Sequence, residues 1–527
     1  MRISGINQAL TVRQRVIAID AAKKQFNHSF IEQHDEEIQA GAANALCLQL
    51  GYALNKKKDK DIKIINSICH TFVMIYHCSI MCRKESYDAI GFDLILLLIK
   101  SLERCKITKN DFKEEIMDTI LHILQIIHLI SDIEAASIFM ATNRSVLGAL
   151  VDIIQSNFLD SVKLEAISTF KNISSHAEEH RLNLVEEPLF ISSIVELSYH
   201  SSSDKIREDT SETIRNLALA QDAKTPMALQ GILLNALINL TDDTNQSTKM
   251  NAVVTLGSLA IPPENSFWLV SHAEGALVEV IFRLGTDPNP KIQERALKTL
   301  KRIGRGESIR VLVDRKHFLS NLNSLLLLNS NTKVQIETAE IIASFLSYLN
   351  KDNCPQLEKA IQFTIDIIAH LDNITCLEIL FKTFMELSTN ARISPLMMKH
   401  SDLLPTVAKI LVFESQPKST IYYILKTIYN ISSGSSQTIE VTDSSNDILS
   451  SLELVIRSEN KSDDQFPTCE TAIKIFSLLA ATDTNRMKMA RHNNLLLSLV
   501  KYMTTSSDDN PIKDLVKKIV LDLVPFA

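Results

Sequence analysis

The chain has 527 residues, more than one hydrophobic core organises, so its length implies several domains or one extended array. Apolar residues make up 45% and charged residues 22%, which is enough to fold, while 12 Gly and 13 Pro leave little punctuation for β-hairpins. A net charge of −7 and a single Trp argue against a nucleic-acid coat, though not against a local basic stripe.

No apolar signal-peptide core follows Met1 and Arg2. The first nineteen residues carry Arg2, Arg13 and Arg15 and no acid, a faint organellar-transit character, but Asp20 and an amphipathic run follow at once. The expected compartment is the cytoplasm, with the nucleus as the alternative. Residues 1–110 read as irregular capping helices or atypical repeats. Cys47 with Leu50, and Ile75 with Cys78, each hint at a repeat unit, yet the gap between the two pairs is too short for a three-helix repeat. The lysine-rich stretch 55–61 reads as an exposed loop; Asp59 and Asp61 dilute any import signal. Cys69, His70, His77, Cys78 and Cys82 invite comparison with a zinc site. They lie on one continuous apolar helix, however, and structural zinc usually recruits paired short loops, so no metal is expected. The eight cysteines fall mostly in apolar helical runs and read as buried reduced thiols. The most apolar stretch, Ile116 to Ile133, contains Asp118, His122, His128 and Asp132 and reads as a buried helix, not a membrane span.

From about residue 166 onward one pattern returns every 42 to 48 residues. With Asn172 as the marker, the equivalent positions are Asn216, Ser258, Arg302, Ser344, Glu386, Asn430, Leu478 and Asp522. The position two before the marker and the position one after are apolar in all nine units, from Phe170 and Ile173 to Val520 and Leu523. Six before it stand Ala166, Thr210, Ala252, Ala296, Thr338 and Ala472, small enough for another helix to approach closely. Spacings of three and four make this segment an amphipathic helix. A polar turn precedes it, as in Ser201–Asp204, Thr241–Thr244 or Thr286–Pro290, and supplies N-cap residues. Before each turn lies a second helix, as in Gly231–Leu237 and Gly275–Ile281, with room upstream for a short first one. Units of this kind cannot bury their apolar faces alone and must stack.

The last helix resembles the armadillo-repeat signature, in which an Asn among small and apolar positions is followed by Leu-Ala or Ile-Ser. Asn172-Ile-Ser174, Asn216-Leu-Ala218 and Asn430-Ile-Ser432 match it, and the Gly-x-Leu elements resemble the family's second helix. The resemblance covers about residues 110–527 and implies an all-α, right-handed armadillo-type α-solenoid, with about nine repeats in phase over 111–527. It also implies that the third helices line a concave groove, where Asn172, Asn216 and Asn430 hold the backbone of an extended peptide; the alternative is that these amides bond a neighbouring helix. Importin-α-like members carry Trp four residues before the Asn. Here that position reads Ser168, Glu212, Val254, Lys298, Glu340, Lys382, Lys426, Lys474 and Lys518, so recognition of basic import signals is not expected.

Five of the last six units place Lys at this phase, and stacking at about 10 Å would align them into a stripe. Cations spaced near a Debye length attract an acidic chain in a salt-dependent way. The expected partner-binding residues are therefore Asn172, Asn216, Lys298, Arg302, Lys382, Lys426, Asn430, Lys474 and Lys518. The expected partner is a protein, an acidic or phosphorylated extended segment, as in the resemblance to β-catenin; nucleic acid and small-molecule substrates are not expected. A solvated helix face is the plain alternative for the lysines. A second expectation is an adaptor for a folded client, such as a small GTPase or a nuclear-transport factor, bound on the solenoid surface. Glycine-rich phosphate loops, Gly-x-Ser-x-Gly elbows and His-Glu-x-x-His motifs are all missing, so neither enzymatic activity nor a cofactor is expected.

Overall fold

The computed structural model describes residues 36–55, 61–78, 83–84, 87–88, 90–107, 113–351, 355–412, 416–434, 446–458, 467–492, 494–505 and 511–526. Every regular element among them is helical. The chain divides into two compact units, one ending at His272 and one beginning at Ala273.

In the first unit two rows of helices run through the stack. Helices Asp61–Cys78, Lys113–Ser131, Asp160–Ser175, Asp204–Leu217 and Gln246–Leu259 pack each on the next. Helices Glu36–Asn55, Phe92–Ile107, Arg144–Gln155, Phe190–His200 and Gly231–Leu240 form the second row in the same manner. Short first helices, such as Glu178–Glu186 and Lys224–Ala228, complete the three-helix repeat. Like packs on like from one repeat to the next, which makes the unit an all-α solenoid.

The second unit repeats this plan. Its third helices are Pro290–Ile303, Thr332–Lys351, Ile374–Leu387, Lys418–Gly434, Thr468–Leu479 and Pro511–Leu523, again packed in sequence. Eleven third helices therefore stand among the described residues. All nine marker positions fall on them.

The apolar signature is a burial signature. Of the eighteen residues two before and one after the markers, seventeen are buried; Val520, in the last unit, is half-buried. Each such side chain contributes roughly 1.5–3 kcal/mol relative to its exposed state. The small residues six before the marker are buried wherever the sequence supplies them. The threonines three before it are buried as well. Thr169, Thr213, Thr255, Thr299, Thr383 and Thr427 each donate their hydroxyl to the carbonyl one turn back, at 2.7–3.0 Å. Burial therefore leaves those hydroxyls paired.

N-caps occur where the turns predict them. Ser203, Asn245, Asn289 and Asn373 each accept from the first turn of a third helix. Two caps also reach sideways. Asn331 Nδ2 donates to Gln293 Oε1 and Asn373 Nδ2 to Gln335 Oε1, both at 2.8 Å, each glutamine lying on the preceding third helix.

Cys47 and Leu50 lie on the Glu36–Asn55 helix and Ile75 and Cys78 on the Asp61–Cys78 helix, which pack together as second and third helices of one repeat. That explains why the gap between the pairs was too short for a whole unit. The apolar stretch 116–133 belongs mostly to the helix Lys113–Ser131, whose Ile120, Ile123, Leu124, Ile126, Ile127 and Ile130 are buried. Among the described residues no single helix is long and apolar enough to cross a membrane. Arg2, Arg13, Arg15 and Lys56 to Lys60 lie outside the described residues.

Candidate protein-binding surface

The marker and the position four before it share one helix face. In the second unit both positions are open to solvent on every third helix, from Lys298 and Arg302 to Lys518 and Asp522. They flank the buried residue two before the marker, so one face of each helix presents a row that is polar at every position but Leu478, while the other side packs.

The lysines in this row differ in their surroundings. Lys298 Nζ lies 2.6 Å from Glu294 Oε1, one turn back on its own helix. Glu294 also receives Lys333 Nζ at 2.7 Å, and hydrogen bonds from these two lysines hold its carboxyl down at about 2. Lys474 Nζ stands 3.8 Å from Glu470 Oε2. Lys426 Nζ lies 4.7 Å over the ring of Tyr429. Lys382 and Lys518 are exposed. The row is not purely basic: Glu340 occupies the same phase and pairs with Lys301 at 2.7 Å. Lys382, Lys426, Lys474 and Lys518 sit on four consecutively packed helices, which makes theirs the longest uninterrupted run. Arg302 is half-buried, and its guanidinium is held below its ordinary value by burial, then by Arg305 and Arg295.

The marker asparagines reach their neighbours. Asn172 Nδ2 donates to Ser131 Oγ at 2.8 Å, Asn216 Nδ2 to Ser174 Oγ at 3.2 Å, and Asn430 Nδ2 to Ser388 Oγ at 3.1 Å. Ser131 and Ser174 lie on the preceding third helix and Ser388 caps the end of it, 41 or 42 residues back. Asn216 is only 5% exposed. The alternative considered from the sequence, an amide bonded to the next helix, is thus present at all three positions. Asn172 and Asn430 stay half-exposed and keep further capacity.

In the first unit the same phase is closed at Ser168, while Glu212 and Val254 stay half-exposed. Ser168 is buried and donates to Asp209 Oδ2 at 2.6 Å. Asp209, fully buried, also receives Lys171 and Lys205 at 3.1 Å each. Burial alone would raise its carboxyl, but Ser168 and the two ammonium groups together hold it below the ordinary range. Asn251 Nδ2 adds a further cross-helix bond to Ser211 Oγ at 3.1 Å. Sequence reasoning missed this network. Its only local trace is the i,i+4 spacing of Lys205 and Asp209; Lys171 is 38 residues away.

Two clusters test for metal. Cys69 is buried, which pushes its thiol far up, whereas His77 on the same helix is exposed. The side chains of Cys78 and Cys82 lie outside the described residues. Asp366, His400 and Asp402 bring one ligand atom each within 4.8 Å of one another. His400 Nδ1, however, accepts from the backbone N–H of Asp402 at 3.3 Å, and Nε2 stands 3.3 Å from Asp366 Oδ1. That bond pattern assigns the ring proton to Nε2, so neither nitrogen offers a lone pair to a cation. The trio is better described as a hydrogen-bonded link between helices.

These features define a stacked three-helix repeat protein with an accessible polar face along its C-terminal third helices. No family model matches the chain, and no curated protein matches it. Among solved structures it is similar to an engineered protein from a structural genomics consortium at 17% identity, covering 91% of this chain and 99% of that one, with a TM-score of 0.44. It is also similar to a designed armadillo repeat protein at 18% identity, covering 47% of this chain and 99% of that one, with a TM-score of 0.36.

Proposed function

We propose that the chain is a non-enzymatic interaction scaffold that binds an extended acidic protein segment along the third helices of its C-terminal unit. The observation that carries this reading is the recurrence of Lys382, Lys426, Lys474 and Lys518 at one phase on four helices packed in order. A run of cations on a rigid scaffold attracts acidic chain over several residues and needs no deep pocket. Asn430, half-exposed beside Lys426, offers an amide to the partner backbone. The test is fluorescence anisotropy with a labelled glutamate-rich peptide. Reversing Lys382, Lys426 and Lys474 to Glu should weaken binding at least tenfold and flatten its salt dependence. Unchanged affinity rejects the reading.

A folded client bound on the first unit is the second reading. Phe267 and Trp268 are 52% and 59% exposed on the helix Asn265–Ser271, an unusual amount of bare aromatic surface. Because Trp268 is the only tryptophan, a client docking there would shift the intrinsic fluorescence. Charge reversal in the C-terminal unit would leave that docking intact.

A further inference from the structure

In four repeats among the described residues, one buried polar side chain fastens the first helix to the end of the third helix before it. Asn265 Nδ2 donates to the Leu259 carbonyl at 2.8 Å, Ser308 Oγ to that of Ile303 at 2.5 Å, Ser394 Oγ to that of Ser388 at 2.7 Å and Asn485 Nδ2 to that of Leu479 at 2.9 Å. All four donors are buried and uncharged. On the helix Glu178–Glu186 a histidine takes this place. His180 is 4% exposed, and its ring donates to the carbonyl of Ile173, which follows the marker Asn172 as Leu259, Ile303 and Leu479 follow theirs. Its Nδ1 is buried and has no hydrogen-bond partner among the described residues, so the bond to Ile173 belongs to Nε2–H and the ring is neutral. The same helix is held by Arg181, which donates to the carbonyls of Ser174, Ser175 and His176 at 2.8, 3.3 and 3.2 Å. Glu178 Oε1 also accepts the backbone N–H of Gln221 at 2.7 Å.

We propose that His180 is a proton-operated latch: as neutral imidazole it docks the helix Glu178–Glu186 on the end of Asp160–Ser175, and protonation of Nδ1 in mild acid releases it. A proton on Nδ1 places a charged N–H in a buried site with no acceptor, and opening the helix lets water supply one. The neighbourhood adds repulsion. His176 lies with its ring centroid 6.5 Å away and Arg181 follows in sequence, so acid gathers three cations there with Glu179 as the near counter-charge. Of the helices packed on this one, Glu134–Thr142 carries Glu134 and Phe190–His200 carries Glu196 and His200, all exposed. Lys171 on Asp160–Ser175 is paired with Asp209, and Glu212 and Arg215 on Asp204–Leu217 with each other. Burial first, then His176 and Arg181, hold the imidazole below its ordinary value, against the opposing pull of the Ile173 carbonyl and Glu179. The latch is therefore fully closed above the unfolded value of about 6.5 and weakens as pH falls from there toward the folded value. Its release uncovers the Ser174 and Ser175 carbonyls beside Asn172.

The experiment is amide hydrogen exchange on the full chain, corrected for the intrinsic effect of pH on exchange. Between about pH 7.5 and about pH 5.5 the opening of Glu178–Glu186 should rise at least about threefold, toward a ceiling of about tenfold set by an unfolded value of about 6.5. The corresponding helix of the next repeat, Lys224–Ala228, should not follow. His180→Gln keeps an N–H for the Ile173 carbonyl and takes up no proton, so its opening should not depend on pH. His176→Gln removes the neighbouring cation and should keep a smaller rise. A wild-type opening that ignores pH overturns the latch, and so does an equal rise in His180→Gln. An equal opening of Lys224–Ala228 also overturns it, because the acid response is then not local. Deuterium exchange at the imidazole C2 of His180, located by fragment mass spectrometry in the wild type, keeps the test valid if His180→Gln fails to fold. Its midpoint should fall below about 6.5, and a midpoint at or above that value overturns the latch.

Discussion

Replacing Asp209 by Ala should destabilise the first unit by about 3 kcal/mol. The carboxylate is 1% exposed at its side chain and accepts from Ser168, Lys171 and Lys205. A hydrogen bond to a charged group contributes roughly 1.5–3 kcal/mol. Lys205 is 54% exposed and regains water when its partner goes, so little is assigned to it. Lys171, 23% exposed, and the buried Ser168 hydroxyl therefore account for most of the loss. Asp209→Asn keeps the volume and an acceptor for Ser168, and about half that loss is expected. The pH dependence has a definite sign. The folded carboxyl titrates below its unfolded value of about 3.9, so its contribution is complete above that pH and fades as pH falls through the folded value. The gap between wild type and Asp209→Asn should thus be full at neutral pH and shrink in acid. Stacked repeats need not unfold in one step, so the assay is amide hydrogen exchange of the helices Asp160–Ser175 and Asp204–Leu217, with urea unfolding alongside. A loss under about 1 kcal/mol for the alanine variant, or a gap that ignores pH, would refute the assignment.

Three further outcomes are expected. A Cβ on Gly304 would lie 2.5 Å from Phe345 Cε1, so Gly304→Ala should cost about 1–3 kcal/mol by overpacking, and Phe345→Leu in the same chain should recover part of it in thermal melts. Asn216→Ala removes the bond to Ser174 from a buried site and should cost about 1 kcal/mol, read as faster exchange in the helix Asp204–Leu217; no change would mean the amide serves only a partner. Burial raises the Cys376 thiol to about 12, so mass spectrometry after maleimide treatment at neutral pH should find it unlabelled in the native protein and labelled in urea.

The repeat was legible because it is written in volume and polarity. Phe170, Ile214 and Phe476 occupy one phase since each must fill the same gap between stacked helices, and that demand reaches the sequence directly. The candidate surface was less legible. Phase alone placed Lys298, Lys382, Lys426, Lys474 and Lys518 together and did locate accessible positions. Whether a lysine is engaged depends on its own neighbours: Glu294 and Glu470 sit one turn from Lys298 and Lys474, whereas Tyr429 lies beneath Lys426. The asparagine partners were invisible for another reason. Ser131, Ser174 and Ser388 lie a full repeat away, and a serine in a helix carries no local sign that its hydroxyl will meet an amide. Closure of this phase at Ser168 followed from Asp209, whose burial contradicts its usual preference and is tolerated only because three donors converge there.

The sideways caps at Asn331 and Asn373 give the C-terminal unit a tolerance rule. Each asparagine both accepts from the first turn of its own helix and grips a glutamine one repeat back. Adding or deleting one residue in such a turn would rotate the amide away and break both attachments together. Duplicating a whole repeat would reproduce the donor, the acceptor and the spacing between them. Insertions into this half of the chain are therefore tolerated as complete multiples of the repeat and resisted as fractions of it.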